Sequence, residues 1–190
     1  MVDEMERPEE ITPLPWSLLQ PLTGITSMLE LGNKRAPGVA PYKRAFERMG
    51  IRHVSVDLNG EDGALALDLR KPLNLGTFDM VTNFGTSEHV SEQEPVWRNM
   101  LEACKDVLIS MTPEHGWENH GIWYPRVEFY HSLAKFNGFY IEQESHHTTK
   151  RGTLCCVRMR RTDEIQPFVM PDPKLIRREA SGDKFTRLYG

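Results

Sequence analysis

Apolar and polar positions along the chain alternate between short continuous runs and a spacing of three and four. Ser27-Met28-Leu29-Glu30-Leu31 is a compact apolar run stopped by Gly32, the pattern of a buried strand. Pro41 then opens a helix in which Tyr42, Ala45, Phe46 and Met49 recur on one face, and Gly50 closes it. Arg52 to Leu58, Ala64 to Leu69 and Phe78 to Phe84 are three further strands, punctuated by Asn59-Gly60, Lys71-Pro72 and Gly85. Helical spacing returns from Glu94 to Asp106 through Trp97, Met100, Leu101, Cys104 and Leu108, and Val107 to Met111 is the fifth strand. Glu114 to Tyr124 has no period. Pro125 starts a helix whose apolar positions include Val127, Tyr130, Leu133 and Phe136, and Phe139 to Gln143 with Thr153 to Met159 form a closing hairpin.

Strands that alternate with helices at this spacing call for a parallel sheet covered on both faces. The hairpin is different, because a short connection permits only an antiparallel pair. The predicted fold is therefore a doubly wound α/β domain over residues 25–161, with a mostly parallel sheet and one antiparallel strand. Residues 1–24 are acidic and carry Pro8, Pro13, Pro15 and Pro21, so they read as an irregular arm anchored by Trp16, Leu18 and Leu19. Residues 162–190 read as a charged, mostly irregular tail.

Composition narrows the function classes. A net charge of −4, from 27 acids against 23 bases, supplies no overall basic field for a nucleic-acid backbone. The N-terminus has no apolar signal core, and no run approaches the ~20 apolar residues that span a bilayer. Cys104, Cys155 and Cys156 have neither disulfide-framework nor metal-site spacing, and the adjacent pair should point to opposite faces of a strand. A cytoplasmic protein with no membrane partner and reduced packing cysteines is expected.

Ligands of open α/β sheets bind outside the carboxyl ends of the strands. That rule selects Glu30 to Gly38, Asp57, Asp68, Asn83 to His89, and the loop from Thr112 to Tyr124. Gly32 allows a turn and close approach of a ligand to the backbone. Asp57 lies about twenty residues past Gly38, the spacing of an acid that accepts from both hydroxyls of a ribose.

Leu29-Glu30-Leu31-Gly32, Val56-Asp57, Leu67-Asp68-Leu69 and Phe78-Asp79-Met80-Val81-Thr82-Asn83, in that order, resemble the motif series of class I S-adenosylmethionine-dependent methyltransferases of the small-molecule type. The likeness runs from about Ser27 to Arg160. It implies a seven-stranded, Rossmann-like methyltransferase fold, S-adenosylmethionine as cofactor, and methyl transfer to a small-molecule acceptor. It places Glu30, Gly32 and Asn33 beside the methionine part, Asp57 and Leu58 at the ribose, Asp68 and Leu69 at the adenine, and Asn83 and Phe84 along the cofactor. The family loop reads G-x-G-x-G, whereas here Gly32-Asn33-Lys34 precedes the next glycine at Gly38.

Glu88-His89 follows the fourth strand, where an acceptor would meet the sulfonium. His89 is the expected general base, and Glu88 either orients it or contacts the cofactor. His115, Trp117, His120, Trp123 and Tyr124 form a polar-aromatic cluster suited to a substrate wall. No metal is expected, since His115, Glu118 and His120 show no fixed ligand face, and His146-His147 reads as polar surface. Two other readings stay open: a nicotinamide-dependent Rossmann oxidoreductase, which the absent G-x-G-x-x-G disfavours, and a non-catalytic binding module acting through the acidic arm or the tail bases Lys174, Arg177, Arg178, Lys184 and Arg187. DNA-base methylation is disfavoured, because Asn83-Phe84-Gly85 lacks the Pro-Pro-aromatic signature and no Pro-Cys pair exists.

Overall fold

A computed structural model describes residues 6–35, 38–164 and 166–178. Seven strands form one sheet: β1 (Ser27–Leu31), β2 (Arg52–Asp57), β3 (Leu65–Ala66), β4 (Phe78–Phe84), β5 (Cys104–Gly116), β7 (Phe139–Thr149) and β8 (Gly152–Arg161). Their order is β3-β2-β1-β4-β5-β8-β7. β1 to β5 are mutually parallel, and only β8 runs against its neighbours. The doubly wound sheet with a single antiparallel strand is as predicted.

β1 is buried at all five positions, as a central strand must be. Alternation sends Leu29 and Leu31 to one face and Met28 to the other. On the first face, α3 (Gln93–Ala103) contributes Val96, Trp97 and Met100, and α4 (Val127–Phe136) contributes Phe129, Tyr130 and Leu133. Trp97 packs against the rings of Phe129 and Tyr130, with centroids 5.1 and 5.7 Å apart. The second face is covered by α2 (Tyr42–Arg48) and α1 (Pro13–Leu19). Cys155 and Cys156 fall on opposite faces, both fully buried, and burial pushes their thiols well above the ordinary range.

Four expectations need correction. The N-terminal arm contains helix α1, because Pro13 and Pro15 occupy its first turn, where a missing N–H costs nothing. Leu18 and Leu19 are buried, and the buried Arg158 guanidinium donates to the Leu18 carbonyl (2.8 Å) and the Leu19 carbonyl (3.0 Å) at the helix end. The third strand shrinks from Ala64–Leu69 to the two residues of β3, since Asp68 bonds the backbone N–H of Arg70 (2.9 Å) and turns the chain. β5 runs on to Gly116, into the segment predicted aperiodic, because β8 pairs with it as far as Gly152. In the tail, β9 (Ile176–Arg178) pairs with β6 (Trp123–Pro125). Among the described residues no helix is long and apolar enough to cross a membrane.

Candidate active site

Parallel register brings the acidic strand ends to one edge. Leu31 lies opposite Val56 and Asn83, Asp57 opposite Ala66, and Asn83 opposite Ser110. Strand order reverses between β1 and β4, so the switch point lies above Gly32 and Gly85.

Glu30 is fully buried and braces its own loop. One oxygen accepts the Lys34 backbone N–H at 3.0 Å. The other lies 3.0 Å from Nε2 of the buried His53, out of line for a hydrogen bond. Gly32 has φ +80°, and a Cβ there would overlap the Thr86 hydroxyl, which donates to the Leu31 carbonyl at 2.9 Å. Asn33 donates its amide to the Glu61 carbonyl (3.0 Å), while its Oδ1 is buried without a hydrogen-bond partner. Lys34, which stands where the resembling family has glycine, brings its ammonium to the Gly85 turn.

Asp57 is half-buried and commits one oxygen to the Asn59 N–H (3.2 Å); among the described residues the other accepts no hydrogen bond. Asp68 is more engaged: Arg70 clasps both of its oxygens at 2.9–3.1 Å, and that hydrogen bonding holds its carboxyl below the usual range. Leu69 is fully buried and can offer only backbone to a ligand, while Leu58 packs partly on the core.

The turn after β4 is held by Asn83, whose Oδ1 accepts the backbone N–H of Thr86 (3.2 Å) and Ser87 (3.0 Å). Its amide donates to Ser87 Oγ (2.8 Å) and Ser110 Oγ (3.0 Å). Asn83 is therefore spent on shaping the turn, and Phe84 points into the core against Tyr42. The network continues to Tyr130, whose hydroxyl bonds Ser110 Oγ (3.1 Å) and Thr112 Oγ1 (2.7 Å). Burial raises the Tyr130 phenol well above its ordinary value, so it stays neutral.

On this base stands Glu88, with its side chain 0% exposed and neither oxygen hydrogen-bonded. Its Oε1 is 3.9 Å from His89 Nε2 and 3.6 Å from His120 Nε2. Those separations are too long for a hydrogen bond, so Glu88 does not orient His89 by one.

The predicted substrate wall divides. His120 joins Glu88 and His89, its ring 4.8 Å edge-on from that of His89. Trp117 packs beside it at 5.1 Å under the Arg151 guanidinium, with its Nε1 buried and unpartnered. Tyr124 is fully buried and cannot stack on a substrate: its hydroxyl donates to the Trp117 carbonyl (2.9 Å) and accepts from Gly121 (3.1 Å). Trp123 donates to the Ser91 carbonyl at 3.1 Å. His115 is 72% exposed and stands apart, beside Glu114. His146 is tied to Glu114 at 2.7 Å. The sequence selects the stretch from Asn83 to His89 without singling out Thr86 and offers Tyr130 only as an apolar helix position; tertiary contacts give both their roles.

Nothing among family models or curated proteins matches the chain. Solved structures do. The Burkholderia thailandensis 1,6-didemethyltoxoflavin-N1-methyltransferase, crystallised with its substrate and S-adenosylhomocysteine, superposes with a TM-score of 0.60 at 15% identity, over 80% of this chain and 78% of that one. The magnesium protoporphyrin IX methyltransferase of Synechocystis, with S-adenosylmethionine bound, gives 0.56 at 13%, over 78% and 76%.

The fold is that of the class I methyltransferases.

A methyltransferase fold does not by itself fix a reaction. The cyclase SpnF superposes equally well, at a TM-score of 0.57 and 11% identity, over 78% of this chain and 80% of that one.

Proposed function

We propose that the protein is an enzyme that binds S-adenosylmethionine at the β1–β4 switch point and transfers its methyl group to a small-molecule acceptor. The observation that carries this is the set of uncommitted polar atoms around Gly32: the second Asp57 oxygen and the buried, orphaned Asn33 Oδ1. These fit the proposed cofactor, because a ribose diol and an α-ammonium group are donors and both orphans are acceptors.

Asp57 holds the ribose in this reading, and the Lys34 ammonium at the Gly85 turn pairs with the methionine carboxylate. The Asp68 turn and the Leu69 backbone border the adenine. Glu30, Asn83 and Thr86 shape the two turns without touching the ligand. When bound, the cofactor would supply a methyl carbon on cationic sulfur for the acceptor's nucleophile. Glu88, His89 and His120 face the acceptor, and alignment of nucleophile with methyl contributes much of the acceleration. Three free, buried thiols fit a reducing compartment such as the cytoplasm.

A nicotinamide dinucleotide fits less well. Its pyrophosphate needs a helix N-terminus directly after the glycine turn, and α2 begins only at Tyr42. Crystals grown with S-adenosylhomocysteine test the proposal. Adenosine against Asp57 and Asp68 with the sulfur toward Gly85 is the expected result, and a ligand bound elsewhere contradicts it.

A further inference from the structure

We propose that Glu88, His89 and His120 form a binding site for one divalent transition-metal ion. The ligand atoms of these three residues all lie within 4.8 Å of one another. The site stands on its own geometry; only the role given to the ion rests on the methyl-transfer reading.

The isolation of its carboxylate distinguishes this cluster from other carboxylate–imidazole contacts. His131 with Glu144 and His146 with Glu114 close to 2.7 Å, and the contacts that stand off, His146 with Glu144 at 3.6 Å and His115 with Glu114 at 3.9 Å, are to carboxylates already bonded by another imidazole. Around Glu88 the two imidazole nitrogens stand off at 3.6 and 3.9 Å. Ligands held at about 2.0–2.2 Å from a tetrahedral ion lie roughly 3.3–3.6 Å from one another. Small side-chain rotations therefore bring the cluster into coordination range.

Burial supports the same reading. A carboxylate removed from water and given no hydrogen bond is costly unless a cation compensates it, and both Glu88 oxygens are in that state. The backbone holds the ligands together across a long stretch of sequence. Glu88 and His89 lie on a short 3-10 turn (Ser87–His89) fixed by Asn83. The Ile122 N–H donates to the Glu88 carbonyl at 2.7 Å, and Gly121 lies against Glu88 so closely that a Cβ would come within 2.9 Å of its Cγ. Tyr124 clamps the turn that carries His120.

Two imidazoles and one carboxylate suit Zn²⁺ well above Mn²⁺ and do not suit Mg²⁺, which prefers all-oxygen ligands. Three protein ligands leave a position for an acceptor oxygen. An acceptor hydroxyl bound there loses its proton to solvent, and the resulting alkoxide bonds the methyl carbon as the C–S electron pair returns to sulfur. The substrate class is thus a small molecule methylated on an ionisable oxygen.

The test is calorimetric titration of the full chain, carrying no polyhistidine tag and stripped with chelator, using Zn²⁺, Mn²⁺ and Mg²⁺ in turn. One equivalent of Zn²⁺ should bind, Mg²⁺ should not, and affinity should fall at least tenfold in Glu88→Gln and in His120→Ala. His146→Ala, outside the cluster, should bind as the parent does. Circular dichroism confirms that each variant is folded; His120 is partly exposed, so its variant reports even if Glu88→Gln fails to fold. No uptake by the parent, or uptake unchanged in folded His120→Ala, overturns the site. A parallel titration with S-adenosylhomocysteine separates the two readings. S-adenosylhomocysteine binding without metal uptake overturns the metal site alone, whereas metal uptake without it supports the site and overturns the cofactor reading.

Discussion

Thr86 closes over Gly32 so tightly that its hydroxyl, bonded to the Leu31 carbonyl at 2.9 Å, occupies the space a Cβ at position 32 would need. This contact joins the turn after β1 to the turn after β4, the two turns that border the proposed cofactor site. Gly32→Ala should therefore destabilise the fold by about 2 kcal/mol or more, from left-handed backbone strain plus overlap. Gly24 has the same φ of +80° with nothing within 4 Å, so Gly24→Ala isolates the strain alone. Urea unfolding of both variants should show the larger loss at Gly32; equal losses would mean that the Thr86 contact is unimportant.

Asp79 predicts a pH dependence. Burial raises its carboxyl, but hydrogen bonds from the N–H and hydroxyl of both Thr26 and Ser27, at 2.7–2.9 Å, outweigh burial and hold it at about 2. A depressed folded-state value means stabilisation that is complete above the unfolded carboxyl range near pH 4. It is lost as pH falls toward 2. The contribution is about 2 kcal/mol at neutral pH. Asp79→Asn should lose about that much at pH 7 and converge on the parent near pH 2, as measured by denaturation across that range. Parallel curves would show that Asp79 is not the titrating group.

Tyr130 links α4 to β5 through Ser110 and Thr112, directly below the β4 turn. Tyr130→Phe should cost about 1–3 kcal/mol, since it leaves buried hydroxyls without their partner. Thermal unfolding checks this, and an unchanged midpoint would mean that the network is slack.

Much of the sheet is legible in the sequence because its central strands are short apolar runs cut off by glycine, as Leu31-Gly32 and Phe84-Gly85 are. β3 is not, because Ala64 to Leu69 keeps strand alternation while the Asp68–Arg70 bond ends pairing early. α1 hides behind prolines that break a helix interior and suit a first turn. The strand-end rule places Gly32 just past β1 and Asp57 at the end of β2, as the structure has them, since both depend only on local position. The cluster of His120 with Glu88 and His89 depends on how Gly121 and Ile122 pack back on Glu88, which no local pattern records. Tyr124 looked like a stacking wall by type, and burial of its hydroxyl between Trp117 and Gly121 makes it a clamp instead.

Titrating S-adenosylhomocysteine into the parent chain and into Asp57→Ala measures the proposal at the residue it depends on most. Saturable binding by the parent should weaken about tenfold or more in the variant, the scale of lost charge-assisted hydrogen bonds to a ribose diol. No heat from the parent at millimolar ligand, or identical dissociation constants for the two proteins, would contradict an adenosine lying across the ends of β1 and β2.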